Sequence, residues 1–290
     1  MPLKASPLPG DSKTLGIIAG MGGLPIAIAS EAKKMGYKVL GIALQPPGDA
    51  SLKPHVDSFH ISKLSKLGNL ISLMQKNGVR DAVMAGKVPK SILYQNKLSL
   101  IPDLKMAKLL FSLKDRADDT ILKAIVLEIE KNGIAIHETT TFTKDLMAPE
   151  GVLTRNKPTK EEMRDIGFGW KIARKMGELD IGQTVVVKDL AVMAIEAIEG
   201  TDEAVMRGGS LACSGAVVVK VSKPQQDMRF DVPVVGTNTL HSMIRTSARV
   251  LAIESEKCII VDRENFIQEA DRNGIAVIGI TGKGIDQIKA

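Results

Sequence analysis

Apolar positions along this chain fall into two patterns, short unbroken runs and longer stretches with apolar residues three and four apart. The first run, 14–19, ends at Gly20-Met21-Gly22-Gly23, and 24–35 follows at helical spacing up to Gly36. That order predicts a strand, a glycine turn and a helix. Runs at 37–44, 56–61 and 81–85 predict further strands, with a helix over 65–77. Helical stretches at 103–113 and 118–131 then lead to a short strand at 134–137. Strands that alternate with helices predict a parallel α/β sheet with right-handed crossovers.

Periodicity fails over 138–159, where Pro149, Gly151 and Pro158 interrupt a polar stretch of the kind that joins domains. The expected division is an N-terminal domain over 14–140, a linker over 141–159 and a C-terminal α/β domain over 160–290. The second domain opens with a helix at 160–176, strands at 184–187 and 190–195, a helix near 202–213 and a strand at 216–221. A polar segment, 222–232, precedes a short helix near 237–247 and strands at 250–253 and 258–261. A helix at 263–273 and a last strand at 275–280 close the pattern. No internal repeat or low-complexity tract is present.

Composition agrees with this picture. With 290 residues, 44% hydrophobic and 25% charged, the chain has the make-up of a globular protein with length for two domains. A chain of this size buries roughly 75% of its unfolded surface, so stability requires neither disulfides nor a structural metal. Cys213 and Cys258 stand far apart in no CxxC or CxxxH spacing and are expected as small core residues. The first fourteen residues are polar and carry three prolines, which predicts no signal peptide and a cytoplasmic location. The most apolar stretch, 185–198, is broken by Lys188, Asp189 and Glu196, so no membrane span is expected. A net charge of +6 suits phosphates or an anionic lipid surface. The 3% of aromatics and the lack of a long basic block argue against nucleic acid.

A glycine turn between strand and helix is where an α/β sheet places anions, because free N–H groups and the helix dipole point at the ligand. The dinucleotide fingerprint fails, since Pro25 stands where its third small residue belongs and Leu44-Gln45 brings no ribose-binding acid. Gly86-Lys87-Val88 is no P-loop either. A tight turn that packs helix on strand and binds nothing is the alternative.

The remaining chemistry is acidic. Asp118-Asp119 opens a predicted helix, as caps or as ligands. Glu199, Asp202 and Glu203 surround a glycine turn that fits oxygen ligation of Mg²⁺ or a solvated surface equally well. The segment from Lys223 to Gly236 is the densest, with Gln226, Asp227, Arg229 and Asp231 between apolar strands. There Lys223 and Arg229 can neutralise phosphate oxygens, and Asp227 or Asp231 can hold a cation or orient water, although a solvated loop has the same composition. Only four histidines occur, with no HxH, HExxH or DxH spacing, and no GxSxG elbow is found.

Taken together, Leu15 to Pro25, Ala85-Gly-Lys87-Val, Asp118-Asp119, Leu179-Asp-Ile-Gly182-Gln183-Thr184, Ala197-Ile-Glu199-Gly-Thr201-Asp202 and Lys223-Pro-x-Gln226-Asp227-x-Arg229-x-Asp231-x-Pro233-x-x-Gly236 resemble, in order, the LpxI-type family of UDP-2,3-diacylglucosamine pyrophosphatases. The resemblance runs from Leu15 to Ile280; the polar extension before Leu15 lies outside it, and Met21 stands where members often carry glycine. It implies a Rossmann-like N-terminal domain linked to a second α/β domain, with the substrate between them. The implied reaction, in lipid A synthesis, is Mg²⁺- or Mn²⁺-dependent hydrolysis of UDP-2,3-diacylglucosamine to UMP and 2,3-diacylglucosamine 1-phosphate. On that reading Asp231, with Asp227 and Arg229, is catalytic. Gly20, Gly22, Gly23, Lys87, Gln183, Thr184, Thr201, Lys223 and Gln226 bind the glycolipid nucleotide, and Asp231, Asp202 and Glu199 bind the metal. Hydrolysis of another nucleoside diphosphate sugar, or a nucleotide- or lipid-binding module without turnover, are the alternatives. Peripheral contact with the inner membrane and a homodimer are left open.

Overall fold

The computed structural model describes residues 13–46, 48–88, 101–113, 118–224, 226–229 and 231–287. Residues 1–12 and the side chains of Asp118 and Asp119, on which two of the sequence readings rest, lie outside that description.

Five strands build the first sheet: β1 (Thr14–Ala19), β2 (Lys38–Gln45), β3 (Ser58–Lys63), β4 (Asp81–Ala85) and β5 (Ala135–Ile136). They pair in the order β3-β2-β1-β4-β5, all parallel. Strands buried on both faces need unbroken apolar sequence, and β1 and β2 supply it. Leu15, Ile17 and Ala19 pack on the α1 (Leu24–Lys34) side, whereas Ile18, Leu40 and Ile42 face α2 (Leu67–Lys76), α3 (Leu104–Ser112) and α4 (Asp118–Lys131). The third strand begins two residues later than its apolar run predicts. A 3₁₀ turn at Lys53–His55 comes first, and the Asp57 carboxylate takes the Val39 N–H at 2.8 Å. An edge strand with a mixed pattern offers little periodicity to read.

The first α-helix of the second domain is α5 (Lys160–Glu178), whose start is held by a capping box between Thr159 and Glu162. Its sheet runs β6-β13-β11-β9-β7-β8, from β6 (Gly151–Val152), β13 (Ala276–Ile280), β11 (Val250–Glu254), β9 (Val217–Lys220), β7 (Thr184–Lys188) and β8 (Ala191–Ile195). Strands β13, β11 and β9 are parallel; β6, β7 and β8 join antiparallel at the flanks. Helices α6 (Thr201–Ala212), α7 (Thr237–Arg245) and α8 (Arg263–Arg272) complete this domain with a further helix, α9 (Gly282–Gln287). The expectation that a strand ends the pattern is thus corrected, because a six-residue glycine-bearing helix has too few turns to show a period. Within the 141–159 connection, Phe142 packs into the first core, while Gly151–Val152 pairs with β13.

A two-stranded ribbon, β10 (Val234–Val235) with β12 (Ile259–Ile260), seams the domains. Ile259 joins Val232, Val234 and Val261 against the first core, while Cys258, Ile260 and Val235 point into the second. The period of two along a strand lets one short segment serve two cores. Among the described residues no helix is long and apolar enough to cross a membrane.

Cys258 is buried as expected, but Cys213 is exposed at the end of α6 with φ 64°, which corrects its core assignment. Burial pushes the Cys258 thiol up to about 12. Since the thiolate is the nucleophile, iodoacetamide at pH 8 is expected to alkylate Cys213 in the native protein and Cys258 only after unfolding. Equal labelling of both by mass spectrometry would contradict this.

Candidate functional site

Strand order in the first sheet reverses between β1 and β4, and open α/β sheets bind ligands beyond the carboxyl ends of strands at such a point. The glycine turn and Gly86-Lys87 occupy that position. They clasp one another: Gly20 N–H donates to the Ala85 carbonyl at 2.8 Å, and Met21 and Lys87 exchange two backbone bonds of 2.9 Å. A Cβ on Gly20 would stand 2.7 Å from the Lys87 carbonyl oxygen, so this glycine answers first to the close crossing of two backbones. Gly22, at φ 98°, gives its N–H to the Asp49 carboxylate at 3.2 Å. The Ser51 hydroxyl, with the backbone N–H groups of Ser51 and Gly22, holds Asp49 below the usual carboxylate range. Gly23 lies against Val261 of the ribbon, with room for no Cβ.

From this turn Lys87 reaches the other domain, where its ammonium abuts Gly200 just before the first residue of α6. Gly200 is left-handed at φ 87°, and a side chain there would both strain the turn and displace the lysine. The carboxyl edge of the second sheet therefore meets the carboxyl edge of the first. Around this junction, Lys220 donates to Thr201 Oγ1 at 2.7 Å, and Thr201 donates to Glu196 Oε1 at 3.0 Å. Glu254, at the end of β11, accepts from Ser222 N–H at 2.7 Å, Ser222 Oγ at 2.8 Å and Arg174 at 3.3 Å.

Ser222 begins the polar segment, and the structure divides that segment's charges. Asp227 and Arg229 form a forked pair at 2.9 and 2.7 Å, which holds the Asp227 carboxyl below its ordinary range. Arg229 also approaches Glu130 of the first domain at 3.7 Å. Lys223 binds Asp180 at 2.6 Å and lies 3.7 Å from Asp231. Gln226 accepts from the Lys223 N–H at 2.9 Å and meets Gln183 at 3.4 Å.

The chain matches the LpxI N-terminal domain over residues 14–146 and the LpxI C-terminal domain over residues 149–278. It belongs to the LpxI family. Over 281 residues it is 32% identical to the UDP-2,3-diacylglucosamine pyrophosphatase LpxI of Caulobacter vibrioides, covering 92% of this chain and 98% of that protein. Solved structures overlap only loosely. The biotin carboxylase domain of Hydrogenobacter thermophilus 2-oxoglutarate carboxylase is 12% identical with a TM-score of 0.26, over 91% of this chain and 43% of that one. AtPrR2 in apo form is 10% identical with a TM-score of 0.28, over 96% and 85%.

In this LpxI-family chain the three carboxylates expected to bind a metal do not converge. Glu199 is paired with Arg207 at 2.6 Å, and Asp202 accepts from Thr239 at 2.7 Å. Asp231 stands beside Lys223. Among the described residues no group of three His, Cys, Asp or Glu side chains is placed to hold a metal ion. As a preformed cage the set does not fit. What does come together is Lys87 with the Gly200-Thr201 turn, and Lys223 with Asp231, Gln226 and Gln183. Glu196, Lys220 and Glu254, with Asp49 and Asp180, were missed by sequence reasoning. A signal was present for the first three, since each is a charged residue at or near the end of an apolar strand run, as in Val217-Val-Val-Lys220-Val221.

Proposed function

We propose that this chain hydrolyses the pyrophosphate bond of UDP-2,3-diacylglucosamine, giving UMP and 2,3-diacylglucosamine 1-phosphate in lipid A biosynthesis. The family relation across both domains names the substrate. The structural observation that supports it is the crossing of Lys87 from the switch point of one sheet to the first turn of α6 on the other. A diphosphate needs its charge offset before water can reach phosphorus. Lys87, Lys223 and the N–H groups of that turn are cationic or donor groups suited to the task. Asp231 is our choice for the carboxylate that orients the water and takes its proton as the new P–O bond forms and the bridging P–O bond breaks. It belongs to the Arg-x-Asp-x-Pro pattern, and among the described residues its carboxylate makes no hydrogen bond.

Dependence on Mg²⁺ (or Mn²⁺) is part of the same proposal. Mg²⁺ commonly binds one or two carboxylates together with substrate phosphates, so a protein cage is not required. Treatment with EDTA is expected to abolish UMP release, and added Mg²⁺ or Mn²⁺ to restore it; full activity after exhaustive chelation would dismiss the metal. The assay for the activity itself is release of UMP from UDP-2,3-diacylglucosamine by the purified protein. Comparable rates on unacylated UDP-sugars would instead favour a general nucleoside diphosphate sugar hydrolase.

A further inference from the structure

Strand β9 is valine until its last residue, Lys220, which is 4% exposed. Directly across the antiparallel pairing stands Thr184, and the next strand over contributes Glu196, whose N–H bonds to the Thr184 carbonyl at 2.8 Å. Lysine, threonine and glutamate thus form one row across three strands at the sheet's edge. Thr201, the first residue of α6, spans it by accepting from Lys220 and donating to Glu196.

The row is not self-sufficient. Among the described residues no carboxylate lies within ion-pair distance of the Lys220 ammonium, which reaches Glu196 only through a hydroxyl. Among the described residues Thr184 Oγ1 and Glu196 Oε2 are buried with no hydrogen-bond partner, on residues 0% and 9% exposed. Buried polar atoms in folded proteins nearly always have partners, and a buried charge without close compensation is costly. Such a set persists where it shapes a site. Next to it are Gly200, the incoming Lys87 and the N–H groups of the first turn of α6, which favour an anion.

We propose that Lys220 is a positioning residue for the substrate's diphosphate. Acting through Thr201, it fixes the first turn of α6 as an anion seat, which Lys87 closes from the other domain. The inference rests on the substrate reading above. Because the Thr201 hydroxyl is engaged by Glu196 and Lys220, what this residue offers a phosphate is its backbone N–H, and the row sets the direction of that group.

The test uses the full chain, with UDP as the binding probe and the lipid nucleotide as the substrate. Lys220→Met and Thr201→Val should each weaken UDP binding by about tenfold or more and lower kcat by about 10²-fold, the scale on which misplaced groups act. If Lys220 works through Thr201, the double variant is no worse than the poorer single one. Thr201→Ser, which keeps the hydroxyl, should recover most of the Thr201→Val loss. A folded Lys220→Met protein with UDP affinity and kcat within about threefold of wild type overturns the inference, as do fully additive losses in the double variant. Should Lys220→Met fail to fold, the Thr201 pair decides, because wild-type behaviour of Thr201→Val removes the link. Wild-type protein that binds UDP through this row without cleaving the lipid nucleotide refutes the substrate reading and leaves the seat standing. Wild-type protein that does not bind UDP refutes the seat.

Discussion

Asp231→Asn is expected to fold as wild type does and to lose at least ~10²-fold in kcat, the usual scale for removing one acid–base or electrostatic group. The structure sharpens this expectation. Arg229, two positions earlier, is the obvious structural partner for Asp231, yet its guanidinium is committed to Asp227. The Asp231 carboxylate is one-third exposed, and among the described residues its one ion-pair neighbour is Lys223 at 3.7 Å. An ion pair that loose and that exposed contributes about 0–1 kcal/mol, so its removal should scarcely move the melting temperature. Single-turnover rates measured beside thermal melts separate the two effects. A stable variant with kcat near that of wild type would remove Asp231 from the reaction.

Glu254→Ala is expected to have the largest effect on stability. Its buried carboxylate receives the Ser222 N–H and hydroxyl, Arg174 and, at 2.9 Å, Lys257. Alanine leaves a buried N–H and a hydroxyl without an acceptor and two cations without their counter-ion. Arg174 and Lys257 are partly solvated, so we place the loss at about 3 kcal/mol, below the full cost of breaking a buried pair. In a protein of this size that corresponds to a melting temperature lower by about 5 °C. Glu254→Gln, which keeps an acceptor for Ser222, should lose less. A melting temperature for Glu254→Ala within about a degree of wild type would show that water replaces the carboxylate without loss. Since Ser222 anchors the segment that carries Lys223 and Asp231, the same variant should also raise KM.

Both variants concern residues whose roles were unequally visible in the chain. Asp231 could be chosen because a dense polar segment between prolines is legible as a string and its pattern matches a family. Glu254 is merely the acidic end of Val-Leu-Ala-Ile-Glu; Lys257 is a near neighbour, but its other three donors come from 174 and 222, separations that no local pattern encodes. The glycine turn shows the reverse. Its spacing suggested a phosphate cradle, but Gly20 is required by the crossing with Gly86-Lys87, and the Gly22 N–H already meets Asp49. Those partners lie 27 and more residues away.

By itself the sequence determined the alternation of strands and helices, the two α/β domains and the family. Each of these follows from local periodicity, turn chemistry or an ordered set of motifs, and each survives without knowledge of who touches whom. Only the tertiary structure decided which charges act and which are already answered. It pairs Asp227 with Arg229, Glu199 with Arg207 and Asp202 with Thr239, leaves Asp231 beside Lys223, and stacks Lys220, Thr184 and Glu196 beneath Thr201. The reason is physical: burial and ion pairing depend on distance in space, and a sheet brings to one edge the ends of strands that are distant in the chain, as Lys220 at the end of β9 stands opposite Thr184 at the start of its antiparallel neighbour β7.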